Sequence, residues 1–331
     1  MSLLRKLNIR AKTEINSGFG VNTSDYGGRF VNKDGRSNVE KLGVGFFEQI
    51  SWYHTMLAMP RWKFLFSILA FYILVNLFFA IIYYFTGVEN LVGVSEGSIL
   101  HQFTEAFFFS AQTFTTVGYG HVSPSGFLVS AIAAIEALIG LLSLALATGL
   151  LYGRFSKPTA YLKFSTNAII APFKNGTALM LRIAPFKNTT LTDTEAKLTL
   201  RMVIEENGKM VNKFYPLELE YSKVNALPLS WTIVHPINED SPLYNLSAAD
   251  FENAMVEMIV FIKAFDDMFS NTVVARSSYT WKEIVFGVKF LPMYHSNDNV
   301  DTTILDMNKL NSFTQADISF ANAGSDKAVT G

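Results

Sequence analysis

The chain has no cysteine, which excludes disulfides, thiolate metal centres and cysteine nucleophiles together. Charge is scarce: 17% of the 331 residues are charged against 50% apolar, a lean ratio for a water-soluble protein. A net charge of −1 offers no basic excess for nucleic acid, which is not an expected partner. Five histidines are scattered without metal-ligand spacing. No nucleophile elbow or phosphate-binding glycine loop is present, so neither an enzyme nor a resident cofactor is expected. The opening residues MSLLRKLNIRAKTE lack the apolar stretch of a cleaved signal peptide, and export by that route is not expected.

The most informative absence is local. Between Lys63 and Arg154 there is neither lysine nor arginine. Two apolar runs fill that gap: residues 64–85, where Asn76 is the one strongly polar side chain, and residues 127–152, where Glu136 is the one charge. Each reaches the roughly 20 residues a helix needs to cross hydrocarbon. Both read as transmembrane helices, outer helix 61–86 and inner helix 126–155. Arg61 and Lys63 precede the first, and Arg154, Lys157 and Lys163 follow the second. The connection between them carries Glu89, Glu96 and Glu105 but no base. Basic flanks stay in the cytoplasm, so both termini are expected on the cytoplasmic side of a cell membrane.

The outward connection holds FTEAFFFSAQTF at 103–114, aromatic and too short to span, followed by TTVGYG at 115–120. Irregular backbone is tolerated at membrane depth only when buried in protein or lining a watery path. Gly118 and Gly120 permit left-handed backbone angles at no steric cost, so successive carbonyls can face one side. Such carbonyls replace the hydration shell of K⁺, and TVGYG is the filter sequence of potassium channels. The expected ligands of the permeant ion are Thr116, Val117, Gly118 and Tyr119, with Thr115 and Gly120 completing the filter. One chain supplies one loop, so a homotetramer around a common axis is implied.

Two flanking regions add to this. In GFFEQISWYHTMLAMPRWKF, Phe46, Phe47, Ile50, Tyr53 and Leu57 fall largely on one helical face and Pro60 ends the run. This reads as a helix lying in the membrane interface over 46–60. After Pro158 the pattern alternates. Leu198, Leu200, Met202 and Ile204 share one strand face before a turn at Asn207–Gly208, and Asn175–Gly176 offers another turn. An immunoglobulin-like β-sandwich over 157–295 fits the pattern.

The order of these segments resembles the inward-rectifier potassium channel family, its prokaryotic KirBac branch most of all. The resemblance runs from about residue 52 to 294. It is carried by YH with PRWKF, FTEAFFFSAQTFTTVGYG, EALIG, LLYGRFSKPTA, SWTIVHPINEDSPLYNLS and ARSSYTWKEIVFG. It implies a two-helix pore domain with a re-entrant pore helix at 103–114, joined to a cytoplasmic all-β sandwich, conducting K⁺ passively. The interfacial segment corresponds to the family's slide helix, where His54 is expected in a structural hydrogen bond.

Gly140, Leu144, Thr148 and Tyr152 recur every four residues and share a helix side, which the resemblance assigns to the pore cavity. It also assigns inner-helix bending to Gly140 and Gly149, and the gate to Tyr152. Leu144 stands where strongly rectifying relatives have an acid, so weak rectification is expected. Gln112 and Val122 replace a glutamate–arginine pair behind the filter, and both partners are neutral together. Glu136, costly in a membrane, is expected to brace the pore helix.

In the cytoplasmic part the resemblance places Glu195 and Lys263 along the ion path, and residues 264–272 in a girdle loop with Phe265 as constriction. Asp266 and Asp267 read as solvated turn charges. Arg61, Lys63, Arg154 and Lys157 would attract anionic lipids, phosphoinositides among them, at about 1 kcal/mol each. Arg276 corresponds to an arginine that positions the cytoplasmic domain. Residues 1–45 are expected to be a mobile N-terminus and 296–331 a frayed tail. The competing reading is a membrane-anchored sensor with a non-conducting pore scaffold.

Overall fold

Local signals place the helices of the membrane part. Ser51 caps α1 (Trp52–Ala58), its side chain accepting from the His54 amide. Pro60 separates it from α2 (Arg61–Thr86), which stops at Gly87 with φ 99°. Glycine takes that left-handed angle without a Cβ penalty. Ser98 caps α3 (Ile99–Phe114) by accepting from His101 N. The pore helix therefore begins four residues before the expected 103, because the cap sits at Ser98 and not at the start of the aromatic run. Gly126 opens α4 (Phe127–Phe155). A two-residue ladder, β1 (Leu91–Val92) with β2 (Ser123–Pro124), ties the two ends of the hairpin together.

The computed structural model describes residue 13 and residues 28–45, 51–206, 208–296 and 302–318. The chain divides into two units, Lys41–Lys157 and Met1–Glu40 with Pro158–Gly331. In the first, α2 and α4 are long and apolar enough to cross a membrane and are mostly unburied within the chain. Leu69, Phe78, Leu138 and Leu142 are each more than half exposed, a surface suited to lipid. The packed interior is small: Phe79, Ala80 and Tyr83 of α2, Ala106 and Phe109 of α3, and Val129 and Ala133 of α4. Residues 46–50 of the expected slide helix lie outside the described residues.

The second unit is an all-β sandwich. One sheet orders β11 (Asn271–Thr280), β10 (Glu257–Asp266), β6 (Leu191–Glu206) and β7 (Lys209–Leu217), with β8 (Lys223–Ala226) also on β6. The other orders β12 (Ile284–Phe286), β4 (Ala168–Phe173), β5 (Gly176–Pro185) and β3 (Leu162–Phe164), with β9 (Trp231–Ile237) on β5. Leu198, Leu200, Met202 and Ile204 all point into the core, where they meet Leu179, Leu181 and Ile183 of the facing sheet. Glu206 pairs Lys209, so the β6–β7 turn is at 207–208; Gly208 has φ 77°, and Asn207 lies outside the described residues. The earlier hairpin pairs Phe173 with Gly176, so its turn residues are Lys174 and Asn175, with Lys174 carrying φ 51°. That moves the expected Asn175–Gly176 turn back by one residue.

Both expected loose ends need correction where they are described. Phe30 and Val31 are buried, and their amides donate to the carboxylate of Glu257 at 2.9–3.2 Å. Residues 28–38 are thus docked on the sandwich. At the other end, β13 (Val288–Phe290) pairs with β16 (Phe313–Gln315), and β14 (Tyr294–Ser296) with β15 (Thr303–Leu305). Leu310 is buried with Met293 and Ala184. Leu305, Met307 and Leu310 pack with Met293 and Ala184, which folds this otherwise polar stretch back, so the domain does not end at 295.

Candidate ion-conduction pathway

The candidate filter, residues 115–120, grows out of the C-terminus of α3. Thr115 N donates to Ala111 O, and Thr116 N to Thr113 O. The chain then departs from the helix: Thr116 has φ 60°, Gly118 53° and Gly120 80°, with no positive φ at Val117 or Tyr119. Alternation of left- and right-handed residues makes successive amides converge on one side and carbonyls on the other. The amides of Val117 and Gly118 do converge, both donating to the carbonyl of Gln112 at 3.0 and 3.3 Å. A β-branched Thr116 in the left-handed region is strained, and the pull of the α3 terminus holds it there. Val117 and Tyr119 are exposed in the single chain. A cavity of about 320 Å³ separates the filter from α4, bordered by the neutral pair Gln112 and Val122.

Three helices are joined by one buried polar cluster beside this filter. Asn76 on α2, Ser110 on α3 and Glu136 on α4 are all fully buried, as is Tyr83 on α2. Tyr83 donates its hydroxyl to Glu136 Oε2 at 2.6 Å. The Ser110 hydroxyl meets Asn76 Oδ1 at 3.1 Å and also Glu136 Oε1. Asn76 Nδ2 donates to Tyr72 O at 2.6 Å. Asn76 and Glu136 stood out in the sequence as lone polar residues in apolar runs. Ser110 and Tyr83 did not, because a serine in an aromatic run and one tyrosine among several carry no pattern of their own.

The inner-helix residues divide into two groups. Gly140 is buried, and a Cβ there would lie 1.9 Å from the Phe114 carbonyl oxygen. It is a close-packing glycine against the end of the pore helix, which corrects its placement on the cavity side with Leu144, Thr148 and Tyr152. Four-residue spacing drifts by about 40° per step, so Gly140 and Tyr152 stand about a third of a turn apart and need not face the same neighbour. Leu144, Thr148 and Tyr152 are exposed in the single chain, and a Cβ on Gly149 would meet nothing. Gly153, unremarked in the sequence, lets α1 approach: a Cβ would meet the Tyr53 hydroxyl at 3.1 Å.

Comparison with known proteins decides what this arrangement belongs to. The family model of the inward rectifier potassium channel C-terminal domain matches residues 162–329, and that of an ion channel matches residues 70–157. The chain is 34% identical to the inward rectifier potassium channel Kirbac3.1 of Paramagnetospirillum magnetotacticum, across 80% of this chain and 89% of that one. The chain belongs to the inward-rectifier potassium channel family. It is of the prokaryotic KirBac type. It is also 27% identical to G protein-activated inward rectifier potassium channel 2 of Pongo abelii and of Mus musculus. Those matches cover 82% of this chain, and 69% and 68% of the relatives. Members of this family are membrane channels for potassium ions and not enzymes.

The other inward-rectifier positions fall as follows. Glu195 and Lys263 are directly opposite each other on β6 and β10. Lys197 Nζ lies 3.4 Å from Glu195, and Lys223 faces it on β8. Lys223, though, pairs with Asp193 at 2.8 Å, so the bases beside Glu195 are Lys197 and Lys263. Phe265 is 39% exposed, next to a β-bulge between Lys263 and Phe265. Asp266 is not a solvated turn charge: it is fully buried and Oδ1 accepts from Met268 N and Phe269 N. Tight turns favour aspartate for this reason, its oxygen replacing a backbone acceptor. Asp267 remains exposed and accepts from Thr192 Oγ1.

Among the basic residues, Arg61, Lys63 and Lys157 are exposed. Arg154 is half-buried, donates to Met56 O at 3.2 Å and stacks over Phe64, so it ties α4 to α1 and α2. His54 is exposed on α1. Arg276 stacks over Phe261, and its carbonyl would be 2.6 Å from a Cβ on Gly35.

Proposed function

We propose that four copies of this chain surround one axis and let K⁺ pass along the carbonyls of Thr116, Val117, Gly118 and Tyr119. The observation that carries the reading is the alternating backbone of Thr116, Gly118 and Gly120, with amides drawn back to Gln112. Carbonyls so freed are the ligands that substitute for water around K⁺. Thr115 and Gly120 close the two ends of that segment.

In this reading Leu144, Thr148, Gly149 and Tyr152 line the route below the filter, and Tyr152 converges with its three copies as the gate. Gly140 belongs to the same gate by setting how α4 rests on the pore helix. Glu195, Lys263 and Phe265 border the cytoplasmic vestibule, with Lys197 and Lys263 beside Glu195 and Lys223 paired to Asp193 leaving little net negative charge to hold blocking cations. Weak rectification follows, and Leu144 supports it. Arg61, Lys63 and Lys157, with Arg154 as a partly structural member, face anionic headgroups on a membrane whose cytoplasmic side holds both termini. Permeant K⁺ is the only ligand the reading requires.

The test is flux of K⁺ against Na⁺ into liposomes holding the purified protein, with and without anionic phosphoinositide, beside Gly118→Ala. Gly118 has φ 53° and free space around it, so an added methyl strains only the backbone. Selective, barium-sensitive flux lost in an intact Gly118→Ala tetramer is the expected result. Silence of the folded wild-type tetramer in every lipid would reject conduction in favour of a sensor.

A further inference from the structure

We infer that Glu136 is present as the neutral carboxylic acid and donates its own hydrogen to Ser110, making it the positioning residue that locks the pore helix between the two spans.

The number of hydrogens available to the cluster decides its state. Ser110 Oγ has two oxygen neighbours, Asn76 Oδ1 at 3.1 Å and Glu136 Oε1. A serine hydroxyl owns one hydrogen. The Asn76 amide cannot be turned to supply the second, because its Nδ2 is engaged with Tyr72 O at 2.6 Å and turning it would set two carbonyl oxygens face to face. Tyr83 cannot supply it either, since its one hydrogen is spent on Glu136 Oε2. With Glu136 ionised the cluster is one hydrogen short, and one pair of buried oxygens meets with nothing between. With Glu136 protonated every group is satisfied in a chain. Tyr83 donates to Oε2, Glu136 donates from Oε1 to Ser110, Ser110 donates to Asn76, and Asn76 donates to the Tyr72 carbonyl.

Charge leads to the same state. Glu136 is fully buried, and no lysine or arginine occurs anywhere from 64 to 153, so an ionised carboxylate here would lack a countercharge. His101, nine residues before Ser110 on α3, is already paired with Glu105, and Arg154 lies five turns along α4. The neutral acid also explains why three helices meet at a glutamate and not at a leucine. Its two oxygens act as one donor and one acceptor, which link Tyr83 of α2 to Ser110 of α3. Ser110 is two residues from Gln112, whose carbonyl gathers the filter amides.

The test is infrared spectroscopy of the purified channel in liposomes at neutral pH, with isotope-labelled glutamate to assign bands. The expected result is a protonated-carboxyl stretch from a glutamate that disappears in Glu136→Gln. In Tyr83→Phe the same band moves to higher frequency, because the acid's carbonyl loses its donor. Should Glu136→Gln fail to assemble, the Tyr83→Phe displacement decides alone. Flux supplies a second readout. Gln can donate and accept at the same two places, so Glu136→Gln keeps flux within about twofold. Glu136→Leu lowers it about tenfold or more, the factor that one unsatisfied buried polar group imposes on an equilibrium. The inference is overturned if labelled glutamate shows only carboxylate bands, if the acid band survives Glu136→Gln, or if the Gln and Leu variants lose flux equally. The spectroscopic result does not depend on conduction, so it stands apart from the filter reading.

Discussion

The membrane unit and the β-sandwich solve the same problem with opposite means. Each must bury polar groups without leaving any unpaired. The membrane unit has an apolar exterior and hides a small uncharged-partner cluster, Asn76, Ser110, Tyr83 and Glu136, where three helices meet. The sandwich has a charged exterior and an apolar core, and its buried ions sit at the sheet surface under another piece of chain. Glu257 and Arg201 are both nearly inaccessible, 3.9 Å apart, with residues 28–31 laid over them. Arg201 also donates to Asn212 Oδ1 at 2.6 Å. The membrane unit's cluster can use only hydrogen bonds because no lysine or arginine occurs from 64 to 153. The other can use charge because backbone amides are at hand to complete the pairing.

The sharpest way to break the comparison is at Gly140. A Cβ 1.9 Å from a backbone carbonyl cannot be relieved by a side-chain rotation, so Gly140→Val should abolish tetramer formation on native gels and all flux, while the sandwich keeps its β signal by circular dichroism. An active Gly140→Val channel would show that α4 and the pore helix do not depend on this contact.

On the sandwich side, Glu257→Ala removes the acceptor of the Phe30 and Val31 amides and the carboxylate beside Arg201. Breaking such a buried group costs about 3–5 kcal/mol, so denaturant unfolding should shift by that amount with the slope unchanged. A shift below 1 kcal/mol would mean the N-terminal segment is not held there.

A smaller effect is expected at Gly35, whose φ is 81° and whose Cβ would strike the Arg276 carbonyl at 2.6 Å. Gly35→Ala should cost about 1–3 kcal/mol and release residues 28–38 to limited proteolysis while sparing the core strands. Equal digestion of both proteins would count against docking.

The smallest effect concerns acid. Burial holds the His235 imidazole below its usual range, against an opposing contribution from the Glu218 carbonyl. Its Nδ1 is bonded to Glu218 O at 2.6 Å and its Nε2 to Ser241 Oγ at 2.8 Å, a set that suits the neutral ring. The folded state therefore binds fewer protons than the unfolded chain. The stabilisation is complete above the ordinary value of 6.5 and drains away as pH falls below it. His235→Gln should flatten the decline of melting temperature between about pH 6.5 and 5. An unaltered slope would assign the acid sensitivity to other groups.

Much of the architecture was legible because it rests on periodicity and composition. The base-free gap bounded the spans, and the glycines of TVGYG announced the left-handed backbone seen at Gly118 and Gly120. The alternation at Leu198, Leu200, Met202 and Ile204 announced the strand that forms the core. Less legible were features made by contact between distant segments. Residues 28–38 and 302–316 looked like polar ends because few of their side chains are buried, Phe30 and Val31 in the first and Leu310 in the second, too few to make a pattern. Gly140 looked like a member of a helical stripe, since spacing says which residues share a face but not which neighbour that face meets. Asp266 looked solvated because nothing local announces that its oxygen is needed by the amides of Met268 and Phe269.

By itself, then, the sequence determined the solvent of each unit, the number of spans and the glycines that let the backbone after the pore helix turn left-handed. Apolar run length, charge placement and glycine freedom are properties of neighbours along the chain. The tertiary structure alone decided the partners: Ser110 and Tyr83 for Glu136, the Phe114 carbonyl for Gly140, and the Phe30 and Val31 amides for Glu257. Hydrogen bonds and close contacts act over a few ångströms, and only folding brings residues 26, 53 or more than 200 positions apart within that reach.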